Sequence, residues 1–255
     1  GTLALSIAQN PGNDSEAGRT LVSTSSSVRL IAFRNCGLTL RSTGRAVSRS
    51  SYAAGETDVN RHLDFFIFLG STYTYLAVNR ADQLAARRGI TLRWRPFSAR
   101  SLMIEQNNRP FVGKPVKLAY MWRDLERRAH RHGVPFVSVP NYPNDTDELA
   151  NRVATVAALE GWCPQFARAA YAAWFIENKD PGEVESLSTI LRGIKRNPSE
   201  VIARANAPEI RGKYDAETEV ARSMGIFGSP TFACGAVIFC GDVRLEDAVD
   251  WCVSQ

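Results

Sequence analysis

Apolar positions recur along this chain with two different periods, and the points where one gives way to the other divide it into parts. The run LDFFIFL, residues 63–69, is the apolar and aromatic text that a buried strand needs. After it, Tyr73, Leu76, Ala77, Ala81, Leu84 and Ala85 recur at steps of three and four, which predicts one amphipathic helix closed by Gly89 behind Arg87 and Arg88. TLRWRPF then alternates as a second strand, ended by Pro96. Strand, helix and strand with short joints make a βαβ unit, hence parallel strands.

From about Lys114 to Met224 only helical periods appear, separated by Gly, Pro and Asn. Leu149, Val153, Val156 and Ala157 stripe one helix, opened by Asp145 and Thr146. Others are predicted over 164–178, 181–195, 198–206 and 209–224. Strands return at PTFAC and VIFC with a turn at Cys234 to Ala236, and a last helix is striped by Leu245, Ala248, Val249 and Cys252. The order predicts an α/β chain of thioredoxin-like fold (βαβ … ββα) with an inserted all-helical subdomain. The first half is placed at 59–113, the helical insert at 114–224 and the second half at 225–255.

Residues 1–58 show neither period, are rich in Ser, Thr, Gly and Arg, and hold no acidic residue between Glu16 and Glu56. They read as a disordered or leader-like tail, whose Arg-rich, acid-poor text also resembles an organellar transit peptide. The tail changes the meaning of the net charge of +5. Six Arg against Asp14 and Glu16 give the first 55 residues +4, which leaves +1 for the rest and argues against a nucleic-acid partner. No apolar run is long enough to span a membrane. The five cysteines form no C-x-x-C and no metal-ligand pair, which fits buried thiols in a reducing, cytoplasmic setting and a metal-free site. Cys234 and Cys240, near opposite ends of the predicted hairpin, are the pair that a register could bring together.

Candidate chemistry centres on FLGSTYTYLA, where the first strand meets the first helix. Ser71 and Thr74 bracket that junction at i,i+3, the spacing a dithiol redox protein fills with C-x-x-C. Locally, Ser71 is a helix N-cap whose oxygen accepts from free backbone N–H groups. A helix N-terminus also favours an anion. A serine hydroxyl does not ionise at neutral pH, so a thiolate held there must be brought in.

DFFIFLGSTYTYLAV, WRPF, NNRP followed by KPVKLAYMWRDLERRA and HGVPF, NRVATVAALEGW, and GIFGSPTF followed by FCGDVRLEDAVDW together resemble the 2-hydroxychromene-2-carboxylate isomerases. That family is similar to kappa-class glutathione transferases and to DsbA-type oxidoreductases. The resemblance covers about residues 62–254. It implies a glutathione-dependent isomerisation in aromatic catabolism, in which Ser71 donates to the glutathione sulfur and a reversible addition lets a conjugated double bond rotate. It also implies a cis proline at Pro230 facing the helix N-terminus, with the main chain of Ser229 binding the cysteinyl part of glutathione. Asn108 and Lys117 are expected at the glutathione and substrate cleft, and the usual homodimer follows as an expectation.

One motif departs from the family. Where it shows a polar residue and then Asp-Arg, this chain has Asp242, Val243 and Arg244. Asp242 and Arg244 are expected at the γ-glutamyl group, with Asp242 as a helix cap standing as the alternative. Two other functions use the same text: a kappa-like transferase or peroxidase that consumes glutathione, and a redox-inactive protein that binds a peptide along the Ser229–Pro230 edge. His130 and His132 read as cations of a helix's last turn, and Tyr73, Tyr75 and Trp122 as core.

Overall fold

In the computed structural model, which describes residues 61–108 and 111–255, β1 (His62–Ile67) is flanked by β2 (Thr91–Pro96) and β3 (Thr231–Cys234). β4 (Val237–Cys240) completes the order β2-β1-β3-β4. β2 runs parallel to β1, while β3 is antiparallel to both β1 and β4. The tail expected over 1–58 lies outside the described residues.

The near-continuous apolar text of β1 follows from its central place. Leu63, Phe65 and Ile67 enter one core, whereas Phe66 enters a second with Phe68, Phe97, Leu102 and Ile226. Asp64, the polar residue in that run, is buried and pairs with the neighbouring strand: Arg93 Nε lies 2.6 Å from its Oδ1 and Arg95 Nη1 lies 3.2 Å from its Oδ2.

The helix predicted across residues 73–88 is two, α1 (Thr72–Val78) and α2 (Ala81–Arg87). Asn79 ends the first because its side-chain amide takes the Tyr75 carbonyl at 2.8 Å, in competition with the main chain. A further short helix, α3 (Ala99–Glu105), has no counterpart in the pattern; Ser98 caps it by accepting from the Ser101 N–H. The helical stretch contains α4 (Pro115–His132), α5 (Leu149–Leu159), α6 (Cys163–Phe175), α7 (Val184–Gly193), α8 (Pro198–Asn206) and α9 (Pro208–Ser223). Asp145 does open α5, but from four residues ahead of Leu149, its carboxylate accepting from the Ala150 and Asn151 N–H groups.

A 3-10 turn (Asp242–Arg244) leads into α10 (Leu245–Ser254). In the β3–β4 hairpin Cys234 pairs with Val237 and Cys240 with Thr231, so the register separates the two cysteines, and both are free thiols. Gly235, at φ 58°, supplies the positive φ that this two-residue turn requires. Among the described residues no helix is long and apolar enough to cross a membrane, and no group of three or more acidic, His or Cys side chains is placed to hold a metal.

Candidate active site

The site is built where β1 runs out. Past Ile67 the chain turns through Phe68, Leu69 and Gly70, closed by the Ser71 N–H donating to the Phe68 carbonyl at 2.9 Å. Only glycine fits at 70, since a Cβ there would stand 2.4 Å from the Phe68 ring. Ser71 then occupies the N-cap position of α1 with extended backbone, φ −94° and ψ 123°, yet its side chain makes no capping hydrogen bond. Its hydroxyl instead donates to the main-chain carbonyl of Ser229 at 2.6 Å. The local text favours a cap, in which the Ser71 oxygen would accept from the helix; the tertiary fold instead turns the hydroxyl so that its hydrogen reaches Ser229.

Ser229 is tied in from three sides. Its Oγ accepts from the Phe68 N–H at 2.9 Å and lies 2.8 Å from Thr74 Oγ1, while its carbonyl accepts from Ser71. The Ser229–Pro230 peptide bond is cis. Thr74 is fully buried, so of the Ser-x-x-Thr pair only the half-buried Ser71 is open to a ligand. Thr72 anchors α1 to α4 through a contact of 3.2 Å with Met121 Sδ.

The remaining expected residues lie around this centre unevenly. Lys117 is exposed in the first turns of α4, its Nζ 6.0 Å from the Phe111 ring centre, and Phe111 packs edge-on to Tyr142. Asn108 is exposed past the end of α3, and its N–H donates to the Met103 carbonyl at 2.7 Å. Arg244 is exposed and pairs with Asp247 at 2.7 Å. Tyr75 and Trp122 are core residues as expected, whereas Tyr73 is half-buried and donates to Asp124 Oδ2 at 2.9 Å.

Asp242 does not cap the last helix, and its carboxylate has a partner within the fold. Its side chain is only 2% exposed, with Oδ2 2.5 Å from Arg128 Nη2. Burial pushes its carboxyl up to about 6, against the pull of Arg128 and Arg80. Arg80 also bonds Glu246 and lies 2.7 Å from His132 Nε2. Burial, followed by the charges of Arg80 and Arg128, holds His132 below the ordinary histidine range. His132 is thus a hydrogen-bond partner of Arg80 rather than a simple helix-end cation.

A cavity of about 460 Å³ opens elsewhere, beside β2, lined by residues that include Asp82, Ile90, Trp94, Gly161 and Cys163. None of the expected site residues lines it, and the chemistry of the Ser71 junction outweighs its volume. What the sequence reading missed is the scaffold of the junction: Asn144 and Asn151 bond the backbone of Leu69, and Tyr171 Oη bonds the carbonyls of Phe68 and Ser71. The available signal was Asn151 itself, an amide two residues after Leu149 in the apolar stripe that Leu149, Val153, Val156 and Ala157 draw.

Comparison with known proteins bears on the fold that carries this site. The model of the DSBA-like thioredoxin domain matches residues 62–250. A 2-hydroxychromene-2-carboxylate isomerase from Pseudomonas putida is 29% identical over 191 residues, covering 72% of this chain and 90% of that protein. Glutathione S-transferase kappa 1 from Caenorhabditis elegans is 32% identical over 79 residues, 31% of this chain and 35% of that one. A solved structure of a selenomethionine 2-hydroxychromene-2-carboxylate isomerase superposes with a TM-score of 0.66 at 24% identity, covering 74% of this chain and 93% of the other. With this sheet order and a family model that spans most of its length, this chain belongs to the DSBA-like thioredoxin domain family.

Proposed function

We propose that this protein is a glutathione-dependent cis–trans isomerase of the 2-hydroxychromene-2-carboxylate type. The observation that carries the reading is the Ser71 hydroxyl, half-buried at the strand–helix junction and 2.6 Å from the Ser229 carbonyl, where a redox relative would place a thiol. Neither position 71 nor 74 is cysteine, so this junction has no dithiol of its own. Bound glutathione would supply a thiolate that adds reversibly to a conjugated double bond.

The residues present fit the cysteinyl part of such a ligand. Ser71 offers an O–H donor that would hold sulfur in its ionised form. The extended edge at Ser229–Pro230 offers main-chain groups to the peptide around it. Lys117 and Asn108 would face the substrate side, the lysine pairing with a carboxylate and Phe111 giving a flat aromatic its apolar wall. Arg244 stands exposed as the cation for a carboxylate of glutathione, whereas Asp242 is already paired with Arg128 and does not offer itself to an ammonium group. The substrate is a planar aromatic or enone acid, and the active form is expected to be a homodimer.

The test is calorimetric titration with reduced glutathione of the full-length wild type and of Ser71→Ala, followed by turnover of a hydroxychromene carboxylate. Binding at millimolar concentration or tighter, with loss of thiol ionisation in the variant and glutathione recovered unchanged after turnover, is the expected result. A second reading, a kappa-like transferase or peroxidase, is favoured by the likeness to the kappa relative. It predicts consumption of glutathione and release of stoichiometric conjugate or disulfide. Absence of glutathione binding would overturn both and leave a redox-inactive peptide-binding protein.

A further inference from the structure

The β1 ladder ends at Phe66, opposite Thr231, on one side and at Ile67, opposite Pro96, on the other. Phe68 and Leu69 continue into the interior, 5% and 1% exposed, so their backbone groups need partners other than strands or water. Phe68 finds Ser229 and Tyr171. Leu69 is gripped on both sides: its N–H donates to Asn151 Oδ1 at 2.8 Å, and its carbonyl accepts from Asn144 Nδ2 at 3.3 Å.

The Asn151 amide has only one workable orientation. Its Nδ2 donates to Asp145 Oδ2 at 2.6 Å, which leaves Oδ1 for Leu69. Reversing the amide would set donor against donor at Leu69 and acceptor against acceptor at Asp145. Asp145 is itself held, its N–H donating to Asp180 Oδ1 at 2.9 Å. Asn151 is wholly buried, touches no ligand surface, and sits among Ala150, Val153 and Ala154, where an apolar side chain would serve packing as well.

We infer that Asn151, seconded by Asn144, is a positioning residue for Ser71: the two amides fix the Leu69 peptide groups and thereby the turn that aims the Ser71 hydroxyl. This rests on the glutathione reading of Ser71. Only Gly70 stands between Leu69 and Ser71, and it has no side chain to hold the turn by itself. Loss of the clamp lets the hydroxyl drift from the line to the sulfur, while the surfaces that bind the rest of the ligand stay in place.

The test uses the full-length protein and three variants, Asn151→Ala, Asn144→Ala and Ser71→Ala. The thiol pKa of bound glutathione is read from ultraviolet thiolate absorbance against pH, and kcat and KM are measured well below the melting temperature. Asn151→Ala is expected to raise the bound thiol pKa and to lower kcat about tenfold or more, with KM for glutathione changed less than about twofold. Asn144→Ala should move both in the same direction by less, and it carries the test should Asn151→Ala fail to fold. A lower melting temperature with wild-type thiol pKa and kcat in the Asn variants, while Ser71→Ala loses both, would reduce the amides to structural groups and overturn the inference. If Ser71→Ala also keeps the wild-type values, the glutathione reading itself fails and the inference falls with it.

Discussion

The Ser71 hydroxyl donates to the Ser229 carbonyl across 2.6 Å, joining residues 158 apart in the chain. The same hydrogen is the one a ligand thiolate would require, so Ser229 and the ligand compete for a single donor. An N–H brought in beside the ligand's sulfur can take over the Ser229 carbonyl and release Ser71. Ligands that carry both a thiol and a neighbouring amide are therefore better matched to this site than simple thiols.

Substitutions at Ser71 separate the hydroxyl from the cap. Because the side chain makes no capping bond, Ser71→Asn, which suits a helix N-cap, should lose as much turnover as Ser71→Ala, about 10²-fold in kcat. Thermal melting should register only the lost Ser229 bond, about 1 kcal/mol. An Asn variant that turns over like wild type would rule out the hydroxyl.

Ser71→Cys, made with Cys36→Ser, Cys234→Ser and Cys240→Ser so that the native thiols left are the buried ones, probes the electrostatics of the junction without glutathione. Free donors at a helix start favour a thiolate, so alkylation of the introduced thiol should be half-maximal at least about one pH unit below the ordinary value near 8.5. Cys163 and Cys252 are buried, and burial drives both thiols up, to about 12 for Cys252, so they should contribute little. A midpoint at or above the ordinary value would mean that the junction does not stabilise an anion.

Tyr171→Phe removes a fully buried hydroxyl that lies 3.0 Å from the Phe68 carbonyl and 2.9 Å from the Ser71 carbonyl. Two acceptors lose their shared donor, so denaturant melts should show a loss of about 1–3 kcal/mol. Turnover should fall with it, because Ser71 is held through its own carbonyl. Unchanged stability would show that water replaces the phenol without penalty.

Asp242 predicts a pH dependence of known sign. Its folded value near 6 lies above the ordinary 3.8, so its contribution to stability is fully present below about pH 4 and is lost as pH rises through 6. Asp242→Asn has no such loss, so the melting temperature of the variant minus that of wild type should increase between pH 4 and pH 6. The bound is about 1.4 kcal/mol per pH unit. A difference that shrinks over that interval would show that the pair with Arg128 outweighs burial and holds the carboxyl low.

Much of the architecture was written in short-range pattern. The β1 text announced a strand covered on both faces, and α8 occupies Pro198–Asn206 as its helical period predicts. The absence of cysteine at 71 and 74 alone excludes a dithiol at the junction. Periodicity reports which side of an element faces the core, because burial acts on each residue where it stands. The same pattern ran α1 and α2 together, since the apolar stripe continues in register past Asn79 while the break comes from a hydrogen bond that stripes do not encode.

Partners across the fold were decided only by tertiary structure. Nothing near Ser71 in the chain reveals that its hydroxyl turns to the Ser229 carbonyl instead of accepting from the helix, nor that Arg128 pairs with the Asp242 carboxylate. Cys234 and Cys240 were separated by hairpin register, which side-chain alternation leaves open. Periodicity placed the four strands and most of the helices in order, α3 and the break between α1 and α2 excepted, and the residue types at 71 and 74 left the junction hydroxyls in place of thiols. Packing determined which groups meet there, because a hydrogen bond between distant residues forms only where the whole core has brought them within about 3 Å.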